Sequence, residues 1–273
     1  MTIQRLNKGL MYLIMLLFAV FSLTPFYFML IMGTYVNEDL FTGLKLLPGT
    51  YLLENWKTVM ATDFARFYGN SLYIAIIATA GGLFVSALAG FAFAKYDFKL
   101  KNMLLLVVIG TLAVPNQLGL IGFVVEMKWM GMINSHWPLI LPPMVNAFAV
   151  FWLMSFIKTA IPNEVMESCR MDGCGELRIF WQMVLPNITP ALVTIFLILF
   201  LHSWNNYLVP LVVLNKAELY TIPLAISMLG NMYRNDYAAK ILALALATVP
   251  VLIFFAVFSK SLIRGLMVGS VKG

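Results

Sequence analysis

The chain has 273 residues, of which 62% are hydrophobic and only 11% charged, with a formal net charge of +6. Soluble domains carry roughly 25% charged residues, so this composition excludes a soluble enzyme and indicates one integral membrane body. The basic residues are scattered between apolar runs rather than clustered, which argues against nucleic acid and fits Lys and Arg held on cytoplasmic loops.

A spanning helix needs about 20 mostly apolar residues. Six runs qualify, at about 9–33, 69–94, 103–125, 137–157, 188–214 and 241–264. The first follows Arg5 and Lys8, is longer than a signal-peptide core and lacks a small-x-small cleavage site, so it reads as an uncleaved anchor. A long polar loop leads to the second run, and the short basic "KYDFKLK" separates the second from the third. The third run holds "VPNQLG" at Val114–Gly119, where Pro115 removes a helix hydrogen bond and Asn116 and Gln117 supply amides. The fifth holds "HSWNNYLVP", with His202, Trp204, Asn205 and Asn206. Broken helices whose polar side chains meet near the midplane are a frequent way to build a transport site. These six residues are therefore the candidate pathway lining: amides suit sugar hydroxyls and an indole face suits a sugar ring. The competing reading is a kinked helix at Pro115 and helix-bonding amides at Asn205 and Asn206.

With the N-terminus inside, 11 Lys and Arg fall on the cytoplasmic side and 7 on the other, as the positive-inside rule expects. Both termini are then cytoplasmic. All twelve Asp and Glu lie in loops or at span edges, and only His202 is near a span centre, where a hydrogen-bonded packing role is the commoner one. No phosphate-binding GxxxxGK[ST] loop is present either. Uphill transport would need energy from another chain. Cys169 and Cys174 fit neither a zinc pair nor a redox CxxC, and read as small residues on a packed surface.

Between the fourth and fifth runs lies the most charged stretch, residues 162–186, "PNEVMESCRMDGCGELRIFWQMVLP". Pro162, Asn163 and Glu164 start a helix, with Asn163 as the cap, and Gly173 stops it. About ten residues span roughly 15 Å, too short to cross the membrane, so this helix lies on the cytoplasmic surface. Val165, Ser168, Cys169 and Asp172 share one face, and its small residues suit close approach to a partner. Glu164 and Glu167 offer charge. A second short helix follows, with Ile179, Phe180, Met183 and Val184 on one side and Trp181 suited to the headgroup region. Leu185-Pro186 then turns the chain back into the membrane.

This segment resembles the cytoplasmic signature of ATP-binding-cassette importer permeases: Glu-Ala-Ala, three residues, Gly, nine residues, Ile-x-Leu-Pro. Here it stands as Glu167-Ser168-Cys169, Gly173 and Met183-Val184-Leu185-Pro186, with every interval kept. Ser and Cys replace two Ala, and Met replaces Ile. "NSL" at Asn70–Leu72, "FAFAKYDF" at Phe91–Phe98, "TIPL" at Thr221–Leu224 and the ending "RGLMVGSVKG" extend the resemblance to the carbohydrate branch, in its shorter, six-span, maltose-type subunit.

The resemblance implies an all-α, polytopic permease domain over 1–273 with a coupling helix between spans 4 and 5, set in the cell membrane. It implies a second permease subunit as heterodimer partner, two ATPase subunits, an extracellular solute-binding protein and a sugar substrate. The chain itself is expected to be no enzyme and to bind no cofactor, ATP and Mg being used by the ATPase. The ATPase-coupling residues would be Glu164, Glu167, Ser168, Cys169, Asp172, Gly173, Leu185 and Pro186. The basic tail after Gly269 is a further candidate ATPase contact, against a frayed solvated end.

Two rivals stand beside this reading. A self-sufficient ion-coupled sugar carrier is one, weakened by the lack of intramembrane carboxylates. An intramembrane protease is the other, on a faint GxSG-like "GNSL" at Gly69–Leu72.

Overall fold

The computed structural model describes residues 2–229 and 236–270, and their side chains except at 2–7, 116 and 260–270. The described residues form helices and connecting turns without a strand. Fourteen α-helices follow in order: α1 (Thr2–Met32), α2 (Leu52–Ala61), α3 (Phe64–Lys95), α4 (Lys101–Gly110), α5 (Leu120–Trp129), α6 (Trp137–Ile140) and α7 (Ala147–Ala160). After these come α8 (Asn163–Met171), α9 (Glu176–Ile179), α10 (Leu185–Asn187), α11 (Thr189–Trp204), α12 (Leu208–Val213), α13 (Ile222–Ser227) and α14 (Tyr237–Ser270). Among the described residues, four stretches are long and apolar enough to cross a membrane: Lys8–Met32, Phe64–Lys95, Trp137–Ala160 and Tyr237–Ser259. Two bent pairs, 101–129 and 176–204, raise the number to six if each is one span.

The third and fifth apolar runs therefore differ from continuous helices. In the third, α4 passes into a 3-10 turn and the chain becomes extended at Val114 and Pro115 before α5. Pro115 lacks an N–H and disfavours helical backbone at the residue before it, so the break falls there. The fifth run stops at Trp204 and restarts at Leu208, and across this interruption the Asn206 side chain accepts a hydrogen bond from the Val209 N–H (3.3 Å).

The chain packs as two units. One comprises residues up to Ala65 with Ala225–Pro250. Here Asn55, buried on α2, donates from Nδ2 to the Gly33 and Tyr35 carbonyls (2.9 and 2.8 Å), satisfying backbone just beyond α1. Gly33 meets α14 so closely that a Cβ would lie 3.3 Å from Leu242 Cα.

The other unit comprises Arg66–Leu224 and the chain from Val251 on. Its main core joins α3, α7, α8, α9 and α11 through residues that include Phe91, Leu153, Ile157, Met166, Phe180 and Ile195. At Gly90 the α3 backbone comes against α7: a Cβ there would sit 2.9 Å from the Met154 nitrogen. Small residues permit such approach where lipid supplies no hydrophobic drive for helix association. Phe254 of α14 stacks on Phe196 of α11 at 5.1 Å.

Ser71 is buried, and its hydroxyl accepts the Ile222 N–H at 2.7 Å. Asn70 donates to the Glu218 and Tyr220 carbonyls. "GNSL" thus ties the 217–222 turn to α3, and Ser71 has the surroundings of a structural hydroxyl rather than of a nucleophile.

Candidate functional site

Two places carry the polar chemistry of the second unit. The first is the segment from Pro162 to Pro186. Pro162, extended at φ −62° and ψ 148°, occupies the cap position of α8. Asn163 is not the cap. Its Oδ1 instead accepts a hydrogen bond from Lys95 Nζ at the end of α3 (2.9 Å), and the same ammonium donates to the Ile161 carbonyl. A cation at this point outcompetes the backbone N–H groups for the amide oxygen, since charge-assisted bonds are the stronger ones.

Gly173 ends α8 with φ +80°. Its N–H reaches the Arg170 carbonyl and the Cys174 N–H reaches the Cys169 carbonyl, both at 3.0 Å. That pair of bonds is the Schellman arrangement, which places a left-handed residue just past the helix.

The face expected to approach a partner, Val165, Ser168, Cys169 and Asp172, is not the one turned into the bundle, apart from Cys169. Met166 is 2% exposed and Cys169 is half-buried, while Val165, Ser168 and Asp172 are exposed. Burying the large Met166 side chain contributes about 1.5–3 kcal/mol, whereas Ser168 and Asp172 have little or no apolar surface to bury. Ile179, Phe180 and Val184 are buried as their spacing suggests, with Phe180 against Phe91 of α3 at 5.7 Å. Phe180–Val184 forms a π-helical turn, and the helix axis bends by 81° between Glu176–Asn187 and Thr189–Trp204. Leu185 is half-buried and Pro186 exposed at this turn. Trp181 remains exposed and stacks on Phe84.

With that inner face buried, the outer face is fixed. It presents Glu164, Glu167, Ser168 and Asp172 together with three apolar side chains: Val165, Leu177 (72% exposed) and Met171 (88% exposed). Sequence reasoning passed over Met171 and Leu177. An apolar residue pointing away from the core beside acidic neighbours is the signal that would have found them.

A polar cluster backs this surface. Glu176 accepts from Arg170 Nε at 2.7 Å and from the Tyr96 hydroxyl, and the Arg170 guanidinium lies 5.9 Å from the Tyr96 ring centre. The Arg170 hydrogen bond, with that of Tyr96, holds the Glu176 carboxyl below its usual range. Burial and the Glu176 carboxylate push Tyr96 up to about 12.

The second place is a cavity of about 900 Å³ walled by segments of α3, α4, α5, α7, α11 and α12. It falls within the range of ligand sites, roughly 300–1,000 Å³. The walls are apolar except at Thr79, Thr111, Asn146, His202, Ser203 and Asn206. Asn146 Oδ1 caps α7 through the Ala149 N–H (2.9 Å) and Asn206 Oδ1 accepts the Val209 N–H, leaving both Nδ2 groups without a partner among the described residues.

Of the six pathway candidates, His202 and Asn206 line this cavity. Gln117 and Asn205 are exposed outside its lining. The Asn116 side chain lies outside the described residues. Trp204 is 3% exposed, stacked on Phe200 at 5.7 Å and edge-on to Tyr68 at 5.5 Å. Its indole faces are taken by protein, so no ring of a solute can cover them in this conformation. Tail residues Val271–Gly273 lie outside the described residues, and α14 runs on to Ser270.

Residues 82–268 match the family described as binding-protein-dependent transport system inner membrane component. The chain is 33% identical over 241 residues to the arabinooligosaccharides transport system permease protein AraQ of Halalkalibacterium halodurans, covering 87% of this chain and 86% of that one. It is 33% identical over 270 residues, 98% of either chain, to the lactose transport system permease protein LacG of Rhizobium radiobacter. Its fold matches a solved bacterial ABC transporter involved in the import of the acidic polysaccharide alginate, with a TM-score of 0.81 at 19% identity, over 94% of this chain and 96% of that one.

Proposed function

The chain belongs to the family of binding-protein-dependent transport inner membrane components, and we propose that it imports a sugar or oligosaccharide with a partner ATPase docked on residues 162–186. It is a permease subunit of an ABC importer, in the cell membrane, and not itself an enzyme. A self-sufficient carrier finds no support among such relatives. Relatives named for arabinooligosaccharides and lactose support a saccharide solute, as does a cavity whose free polar groups are amides, hydroxyls and an imidazole rather than carboxylates.

Both termini and the 162–186 segment face the cytoplasm in this reading. The second permease completes the pathway and an external binding protein delivers the solute. ATP and Mg bind the ATPase. His202 and Asn206, with Thr111, Asn146 and Ser203, contact sugar hydroxyls, while Gln117, Asn205 and Asn116 belong to the pathway's margins.

The observation that carries the docking role is the division of faces on α8 and α9. Met166, Ile179 and Phe180 lock the inner face into the bundle, leaving Met171 and Leu177 uncovered beside Glu164, Glu167 and Asp172. A solvated loop would not hold two large apolar side chains outward on so fixed a base. Ser168, Cys169, Gly173, Leu185 and Pro186 shape this platform.

Met171→Asp with Leu177→Asp, and separately Glu167→Lys, should strip the ATPase from the purified complex while the second permease stays bound. Retention of a full complement of ATPase and unchanged sugar uptake in both variants would overturn the docking role.

A further inference from the structure

We propose that Lys95 and Tyr96 are positioning residues that fasten α3 to the docking segment, so that α3 follows its movement directly. This rests on the docking role of residues 162–186. The argument begins with connectivity. The chain joins the segment covalently to α7 on one side and α11 on the other, whereas α3 ends 66 residues before Ile161. Any displacement of the segment reaches α7 and α11 through the covalent backbone, but reaches α3 only through non-covalent contacts, of which the packing of Gly90 on α7 is one.

Those side chains are arranged at both ends of α8. At its start, Lys95 Nζ holds the Ile161 carbonyl and Asn163 Oδ1. Past its end, the Tyr96 hydroxyl donates to Glu176, which Arg170 grips from the other side at 2.7 Å. Between these two points Phe180 packs on Phe91, and Phe91 meets Tyr96 edge-on at 5.3 Å. Two separated polar attachments over an apolar contact resist rotation as well as sliding, which a single bond would not. The helix so held is also a cavity wall: Ala78, Thr79, Val85, Ala89 and Phe93 of α3 all line it. A movement at the segment therefore has a rigid path along α3 into the cavity, in addition to the paths along α7 and α11.

The test uses the complex purified with its second permease and ATPase and placed in lipid vesicles, with the labelling of the same complex lacking a reporter cysteine subtracted. A reporter cysteine is placed in the cavity wall on α3 (Ala89→Cys) or on α7 (Ala147→Cys), and its labelling rate by a membrane-impermeant maleimide is measured with and without Mg-ATP. With Lys95 and Tyr96 intact, both positions should change rate on adding Mg-ATP. Lys95→Met with Tyr96→Phe should diminish the change at position 89 while keeping it at position 147, and Lys95→Arg should keep both. An undiminished ATP response at position 89 in the double variant would overturn the proposal. Should the double variant fail to assemble, the near-isosteric Tyr96→Phe and Glu176→Gln variants decide. A reduced response at position 89 alone supports the fastening, and a parental response at both positions overturns it. No ATP response at either position in the unsubstituted complex, with the ATPase absent from it, would instead overturn the docking role and this inference with it.

Discussion

Gly173 holds φ at +80°, and a Cβ there would meet nothing within 4 Å. Any cost of substitution is therefore backbone strain and not a clash. Left-handed backbone costs an ordinary residue about 1–2 kcal/mol, more for a β-branched one, while Asn tolerates it. Gly173→Val should thus lower the thermal midpoint of the purified protein and loosen the ATPase, whereas Gly173→Asn should retain most of both. Equal losses in the two variants would mean that the glycine matters for something besides its φ. This residue was legible in the sequence because a helix stop by glycine is a local event. Asn163 and Trp204 were not. Asn163 had the right type for a cap, but a lysine 68 positions earlier takes its oxygen. Trp204 had the right type for a sugar platform, but Phe200 and Tyr68 cover it.

Among elements, residues 162–186 show how a short helix is held in a set orientation. Its polar attachment to the end of α3 depends on two ionisable groups with opposite shifts. Because Glu176 lies below the usual carboxylate range when folded, its contribution is complete above that range and disappears as pH falls through the depressed value. Tyr96, pushed up from 10.0 to about 12, contributes fully below about pH 10 and fades only as pH rises through its folded value. The titratable groups facing Glu176 are the Arg170 guanidinium, on the segment itself, and the neutral Tyr96 phenol beyond α3. Amide exchange over residues 163–184, corrected for its intrinsic pH dependence, should show constant protection around neutrality and a loss in acid. Glu176→Gln should remove that acid-side loss; an unchanged acid limb would show that the ion pair does not hold the segment. The pair is partly exposed, so the effect should be at the scale of a surface interaction, under about 1 kcal/mol. The bulk of the anchoring comes from Met166, Ile179 and Phe180.

For the whole molecule, the cavity is where the broken spans acquire a use. The 3-10 turns near Pro115 and the interruption at Asn205–Tyr207 bring Val114, Gly119, His202, Ser203 and Asn206 to a common space. His202→Leu or Asn206→Leu should raise the sugar concentration for half-maximal uptake by about tenfold, the order expected for one lost hydrogen bond of roughly 1–1.5 kcal/mol. ATPase content of the complex should not change. Trp204→Phe should act differently, lowering stability with little effect on that concentration. A rise with Trp204→Phe and none with the other two would reverse the assignment of lining and core.

The sequence by itself determined the membrane class, the apolar runs, the helix stop at Gly173 and the spaced signature from Glu167 to Pro186, because each rests on composition or on neighbours within a few turns. Tertiary structure alone decided which face of α8 turns inward, which polar residues line the cavity, and how α3 is fastened to a segment far along the chain. Thr79 and Asn146 illustrate the reason. A lone Thr in an apolar run and an Asn beside two prolines carry no local signal, and they gain a role only when α3, α7 and α11 come together. Burial settled each case: a side chain's chemistry is local, but whether its surface stays available depends on packing from residues the local sequence does not name.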